Sequence, residues 1–264
     1  MTESICFLNQ KGGVGKTTIA HNTAYILATI HNKKVLLIDL DQQGNSSEIY
    51  MVDKNIEPSI ATIFREKNPN VRNIIRPAEV HLKPVVNMDI IHSNMSLSQA
   101  LKEIPTRTYK EKILYKALKD IVVKYDYVIL DCPASIEDSV INAIYYADRF
   151  LIPVEIGAFA SSAIQDVLEL IAEIKESLSL RELLSSNIVS FLKNKVDGRG
   201  SVLNKKVAEE IKDILPYIMG SSIRQSLYIS RAGIDKTPVI QYAPVPSVVK
   251  NDYLIYVEEL RKCS

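Results

Sequence analysis

The chain has 264 residues, 47% of them apolar and 24% charged, with a formal net charge of +1. That length suffices for one large domain whose core needs no metal or disulfide staple, and a charge so near zero names no polyanionic partner by itself. The three cysteines, Cys6, Cys132 and Cys263, form no CxxC pair, which argues against an iron–sulfur cluster or zinc site, and no apolar run approaches a membrane span. The N-terminus lacks the basic and apolar segments of a signal peptide, and unpaired cysteines suit a reducing compartment, so the expected location is cytoplasmic.

The first predicted strand is Ser4–Asn9, so close to Met1 that no N-terminal helix-turn-helix domain is expected. It runs into KGGVGKTT, Lys11–Thr18. The end of the phosphate-loop pattern GxxxxGK[ST] is met by Gly15-Lys16-Thr17, but Gln10 stands where its opening glycine belongs. Gly12, Gly13 and Gly15, with Val14 between them, let the backbone turn tightly and aim N–H groups at phosphate oxygens. The predicted helix Thr17–Ile30 adds the positive end of its dipole next to Thr18. Lys16 would bridge the β- and γ-phosphates, and the Thr17 hydroxyl would ligate Mg²⁺. Lys11 is a second lysine in a loop where one would do.

The next strand, Lys34–Asp39, opens into DLDQQGN, where Asp39 and Asp41 point the same way if the strand continues that far. One carboxylate could hold Mg²⁺ through water and the other orient an attacking water. Pro58–Pro84 has the least regular pattern. Beyond it come a strand at Met88–His92, a helix at Thr108–Lys124 with Ile113, Leu114, Ala117, Leu118 and Ile121 on one side, and a strand at Tyr127–Asp131 leading into DCPAS. An aspartate closing four apolar strand residues is the Walker B pattern, with Asp131 beside the magnesium. Strands at Arg149–Glu155 and Asn187–Leu192 follow, with a short one ending near Ile223, and helices at Ala160–Glu176, Ser201–Leu215 and Val245–Leu260. The alternation predicts a single α/β domain over residues 1–264, with a mostly parallel central β-sheet and helices on both faces. Its ligand site lies at the carboxyl ends of the strands, where three polar clusters converge. His21, His31, His81 and His92 show no ligand spacing, and Cys132 reads as a small buried filler.

KGGVGKTT with its extra Lys11 resembles the deviant Walker A element of the ParA/Soj-like partition ATPases and their MinD relatives. DLDQQGN is similar to the family's DLDPQGN, with Gln42 in place of proline, and DCPAS to its D-x-P-P-S, with Ala134 in place of the second proline. Ser93–Ser98, Val196-Asp197-Gly198-Arg199 and Ile223-Arg224 match later landmarks. The resemblance implies a deviant Walker P-loop NTPase fold, ATP/ADP and Mg²⁺ as cofactors, and an ATP-dependent homodimer. Lys11 would reach the nucleotide of the other subunit, and without ATP, Lys11 and Lys16 would stand against mutual repulsion. By the same carry-over Asp41 activates water, Asp39 and Asp131 sit around Mg²⁺, and Gln42 loosens the loop that carries Asp41.

Residues 187–264 hold 12 Lys/Arg against 8 Asp/Glu, so the basic excess lies in the C-terminal third. Asn194 and Lys195 look like part of the NKxD motif of GTPases, but the resemblance argues for ATP and makes them adenine-site candidates. Arg199 and Arg224 match basic family positions, and a further arginine expected shortly after falls at Leu227, with Arg231 a helical turn later. Lys193, Lys205, Lys206 and Lys236 would widen this surface. The resemblance thus implies non-specific double-stranded DNA and a ParB-type centromere-binding protein as partners, and a nucleoid-associated location. The rival is a MinD-type membrane-positioning ATPase, which calls for a basic amphipathic tail. The tail YLIYVEELRKCS contains Glu258 and Glu259, and no membrane is expected.

Overall fold

In a computed structural model, residues 2–104, 108–155, 160–176, 182–183, 188–196 and 217–262 are described, the backbone alone for 160–163. Eight strands form one sheet: β1 Glu3–Phe7, β2 Val35–Asp39, β3 Arg76–Val80, β4 Lys83–Ile91, β5 Tyr127–Asp131, β6 Arg149–Glu155, β7 Val189–Val196 and β8 Ile218–Arg224. Their order is β3-β4-β2-β5-β1-β6-β7-β8, parallel throughout except for the β3–β4 hairpin. The helices are α1 Lys16–Thr29, α2 Ser47–Tyr50, α3 Ile60–Arg65, α4 Val71–Ile74, α5 Ser96–Glu103, α6 Ile113–Leu118, α7 Asp138–Tyr146, α8 Ala160–Lys175, α9 Leu227–Ile234 and α10 Ser247–Lys262.

Strand residues alternate between two cores, as a two-residue period dictates. Cys6, Leu36, Ile38, Val128, Leu130 and Phe150 face one side, in the same apolar cluster as Ile63, Leu97, Leu114, Ile144 and Leu168 of the helices. Ile5, Phe7, Leu37, Ile129 and Leu151 face the other, clustered with α1 and α10. The predicted closing helix is α10, with Val249, Tyr253, Tyr256, Val257 and Leu260 all buried.

The structure differs from the sequence expectation in three places. The irregular stretch holds α3, α4 and β3. Its prolines mask them, yet β3 is an edge strand and so tolerates Pro77. The helix expected over Thr108–Lys124 is reduced to α6 between two 3₁₀ turns. Its first turn is tied instead to Asn142 of α7, which accepts from the Leu114 N–H and donates to the Lys110 carbonyl, at 3.0 and 2.8 Å. β7 runs on to Val196, taking Lys193, Asn194 and Lys195 into the sheet; Asn187 lies outside the described residues. The helix predicted at Ser201–Leu215 lies outside them too.

Candidate active site

The turn after β1 builds the first wall. Gly13 (φ 75°) and Gly15 (φ 92°) take left-handed backbone angles, and Gly15 caps α1. A Cβ on Gly15 would also run into the Asn194 amide, which donates 2.7 Å to the Val14 carbonyl and so pins the loop to β7. Asn9 steadies the loop entry, donating to the Pro153 carbonyl at 2.8 Å and accepting from the Lys11 N–H at 2.9 Å. No acidic residue lies in the first turn of α1, so its positive end is left for an anion. Asn22, one turn deeper, holds the Thr18 carbonyl at 2.7 Å.

The two lysines of the loop are placed differently. Lys16 is buried, and its ammonium donates to the Lys11 carbonyl at 3.3 Å. Burial pulls its pKa down, and Asp131 and Asp41 pull it partly back. The Lys11 side chain is 46% exposed, its ammonium 3.8 Å from the Glu155 carboxylate at the end of β6. Each ammonium thus has its own oxygen partner, the Lys11 carbonyl for Lys16 and the Glu155 carboxylate for Lys11. Glu155 also pairs with Lys195 at 2.5 Å, because the β6–β7 register sets Glu155 beside Asn194.

The second wall is a pair of carboxylates. The register of β2 on β5 sets Asp39 beside Asp131, and both are fully buried. Asp39 Oδ2 accepts from the Ser47 N–H (2.9 Å) and hydroxyl (2.7 Å), and its Oδ1 from the Asp41 N–H (3.1 Å). Asp131 Oδ2 accepts from the Ser46 hydroxyl at 2.7 Å. Burial pushes Asp39 up to about 6 against the help of Ser47, and burial together with Asp39 raises Asp131 well above the carboxylate range. Asp131 Oδ1 is buried without a hydrogen-bond partner. A buried carboxylate oxygen without a geometric partner fits a hydrated cation, and the Thr17 hydroxyl, near enough to Asp131 to help lower its pKa, could supply a further oxygen. Among the described residues no group of three or more His, Cys, Asp or Glu side chains gathers as a metal cage.

β2 ends at Asp39, but the Leu40 N–H still bonds the Asp131 carbonyl at 2.9 Å. Asp41 therefore emerges half-buried at the head of the turn 41–44. Its Oδ1 accepts from the Gln43 N–H at 2.9 Å. Cys132 is inert packing: its Sγ lies 3.4 Å from that of Cys6, and Cys6 and burial drive its thiol pKa up.

Beside the loop opens a cleft of about 620 Å³, lined by Gly13, Gly15, Thr18, Asn194, Lys195, Arg224, Gln225, Ser226, Leu227, Ile229, Ser230 and Tyr253. Both adenine-site candidates are thus gathered at the loop, and the segment Gln225–Ser230 joins them, a wall that its ordinary composition hides.

A model of the AAA domain family matches residues 2–185. The sporulation initiation inhibitor protein Soj of Bacillus subtilis (strain 168) is 30% identical over 92% of this chain and 92% of its own length. The chain belongs to the ParA/Soj family of partition ATPases. The chromosome partitioning protein ParA of Myxococcus xanthus (strain DK1622) is 30% identical over 98% of this chain and 87% of its own. In fold, the chain superposes on a plasmid partition protein from Borrelia burgdorferi B31 bound to AMPPNP with a TM-score of 0.77, at 21% identity, covering 99% of this chain and 100% of that one.

Against this ParA/Soj frame the basic residues named for DNA are spread out. Arg224 is held by Asp252 through Nε and Nη2 at 2.6 and 2.9 Å, and it lines the cleft. Arg231 is exposed on α9, its guanidinium 5.6 Å from the Tyr228 ring centre. Lys236 is exposed just beyond α9, and Lys193 is half-buried on β7, where its charge helps lower the Glu259 pKa. Arg199, Lys205 and Lys206 lie outside the described residues. No helix among the described residues is long and apolar enough to cross a membrane.

Proposed function

We propose that the chain is an ATP-hydrolysing partition protein that dimerises around Mg·ATP, binds non-specific double-stranded DNA as that dimer, and is stimulated by a ParB-type centromere-binding partner. It would act in the cytoplasm on the nucleoid. The reading is carried by the unequal pair of lysines. Lys16 is buried against the loop that cradles the phosphates, as a lysine serving its own nucleotide should be. Lys11 is half exposed, and its ammonium is paired only at 3.8 Å, with Glu155, which suits a charge offered to a second subunit.

Gly12–Thr18 and the N-terminus of α1 would hold the phosphates, and the cleft walled by Asn194, Lys195 and Gln225–Ser230 would take the nucleoside. Mg²⁺ would be held by the Thr17 hydroxyl and Asp131, with Asp39 beside Asp131 in the site, and would supply charge neutralisation at the phosphates. Asp41 would orient the water that attacks the γ-phosphorus; the P–O bond to the β-phosphate breaks and the electron pair leaves on ADP. Membrane anchoring through the C-terminal helix is disfavoured, because the apolar face of α10 is buried in the core.

Lys11→Ala should keep ATP binding through Lys16, lose ATP-dependent dimerisation in sedimentation, and drop turnover to background. A Lys11→Ala protein that dimerises and hydrolyses ATP like the wild type would overturn the trans-lysine reading. Asp41→Ala should trap an ATP-bound dimer; full turnover in that variant would remove Asp41 from the mechanism.

A further inference from the structure

The turn that presents Asp41 lacks the proline that would stiffen it, yet it is held from outside. Gln42 and Gln43 are its central residues, and the Gly44 N–H closes it on the Asp41 carbonyl at 2.9 Å. Gly44 is left-handed (φ 62°), and a Cβ there would lie 2.5 Å from the Ser93 carbonyl, so the turn sits tightly against the segment after β4. Across its outer edge runs Lys54, from the loop after α2. The Lys54 ammonium donates to the Gln43 carbonyl and, at 3.4 Å, to the Gly44 carbonyl, and it pairs with Glu48 of α2 at 2.7 Å. Its own carbonyl accepts from Asn94 at 3.1 Å, which ties the lysine's backbone to the same segment that backs Gly44. The side chain is only 18% exposed.

We infer that Lys54 is a positioning residue for the hydrolytic step: it clamps the 41–44 turn and so fixes the direction of the Asp41 carboxylate. The inference rests on the proposed role of Asp41. Three features converge on the one ammonium. It reaches two successive carbonyls of the turn, and a carbonyl bonded to a cation is held more strongly than one bonded to a neutral donor. It is anchored by Glu48, whose pKa is lowered chiefly by that bond. Its stem packs against the glycine, with Cδ 3.0 Å from where a Cβ would stand. A turn of this kind favours proline at its second position because the ring presets φ. Gln42 occupies that position here, so the clamp supplies by an ion what a ring would supply covalently. The loosening expected from Gln42 is thereby offset, at the cost of a dependence on Lys54. A displacement of about 1 Å in a water-orienting group can cost up to about a hundredfold in rate, so losing the clamp should show in turnover before it shows in nucleotide binding.

The test is steady-state Mg·ATP turnover of the full chain, with nucleotide affinity and amide exchange measured in parallel, in Lys54→Ala, Lys54→Arg and the double variant Lys54→Ala/Gln42→Pro. In Lys54→Ala, kcat should fall about tenfold with KM unchanged within about twofold, and the Gln43 and Gly44 amides should exchange faster. Lys54→Arg should recover most of kcat, and so should proline at 42, which restores stiffness without restoring the ion. Should Lys54→Ala fold poorly, Glu48→Gln frees the ammonium without emptying the site and should give a smaller loss of the same kind. Unchanged kcat in Lys54→Ala, or a loss that neither arginine nor proline repairs in a folded protein, overturns the inference. Absence of turnover in the wild type would instead overturn the hydrolytic reading, and this inference with it.

Discussion

Asp39 and Asp131 stand side by side because two parallel strands end in register, and their chemistry follows from that adjacency. Among the described residues neither carboxylate forms a salt bridge, and burial is the largest influence on both. A carboxylate whose folded pKa is raised favours folding while it is protonated; that contribution is complete below the unfolded value near 3.8 and is lost as pH rises towards about 6. His21 acts oppositely in an overlapping window: burial lowers it to about 3, so its contribution is lost as pH falls below 6.5. The carboxylate effect must therefore be read as a difference. Wild type minus Asp39→Asn, measured by chemical denaturation in EDTA, should show stability declining from pH 4 to pH 6 by about 2–3 kcal/mol. Adding Mg²⁺ with ATP should remove most of that decline. A flat difference across the window would mean that Asp39 is not strained by its burial.

At the scale of elements, the site depends on a few hinges where one element becomes the next. Gly15 is the sharpest. Its φ of 92° penalises any L side chain, and the space a Cβ would need is taken by the Asn194 amide that holds Val14. Gly15→Ala should cost about 1–3 kcal/mol of stability and displace the loop from β7, so that nucleotide affinity falls by more than tenfold in fluorescent-nucleotide titration. An alanine variant that binds nucleotide normally would mean the loop does not need this conformation. The glycine spacing and the three aspartates were legible in the sequence because each is a local pattern: tight turns need glycine, and buried strands that end in acids stand out. The supporting residues were not. Ser46 and Ser47 hold Asp131 and Asp39 from eight or more residues away, Asn194 reaches back 180 positions to Val14, and Gln225–Ser230 joins the cleft only through the β7–β8 pairing. Nothing in a one-dimensional pattern marks such partners. β3 and α6 were obscured for a related reason: an edge position lets prolines into a strand, and Asn142 replaces helical hydrogen bonds with its own.

At the scale of the whole molecule, the proposal couples nucleotide, dimer and DNA, and salt dependence is where the coupling becomes measurable. Each phosphate neutralised by a lysine or arginine releases condensed counterions, giving a slope of about −0.9 in log affinity against log salt. A dimer carries every basic residue twice, so binding to duplex DNA of random sequence should have a slope about twice as steep with ATP as with ADP. Arg231 and Lys236 are exposed, and neither forms a salt bridge among the described residues, so each is available for phosphate. Replacing either with alanine should flatten the ATP-state slope by roughly 2 per dimer, one contact being lost in each subunit. Arg224 should behave differently. Its guanidinium is bidentate on Asp252 and it lines the cleft, so Arg224→Ala should weaken ATP binding and leave the slope at saturating ATP nearly unchanged. Anisotropy titrations between 50 and 200 mM salt distinguish these outcomes. Equal slopes with ATP and ADP would break the link between dimer and DNA, while a flattened slope in Arg224→Ala at saturating ATP would return that arginine to the DNA surface.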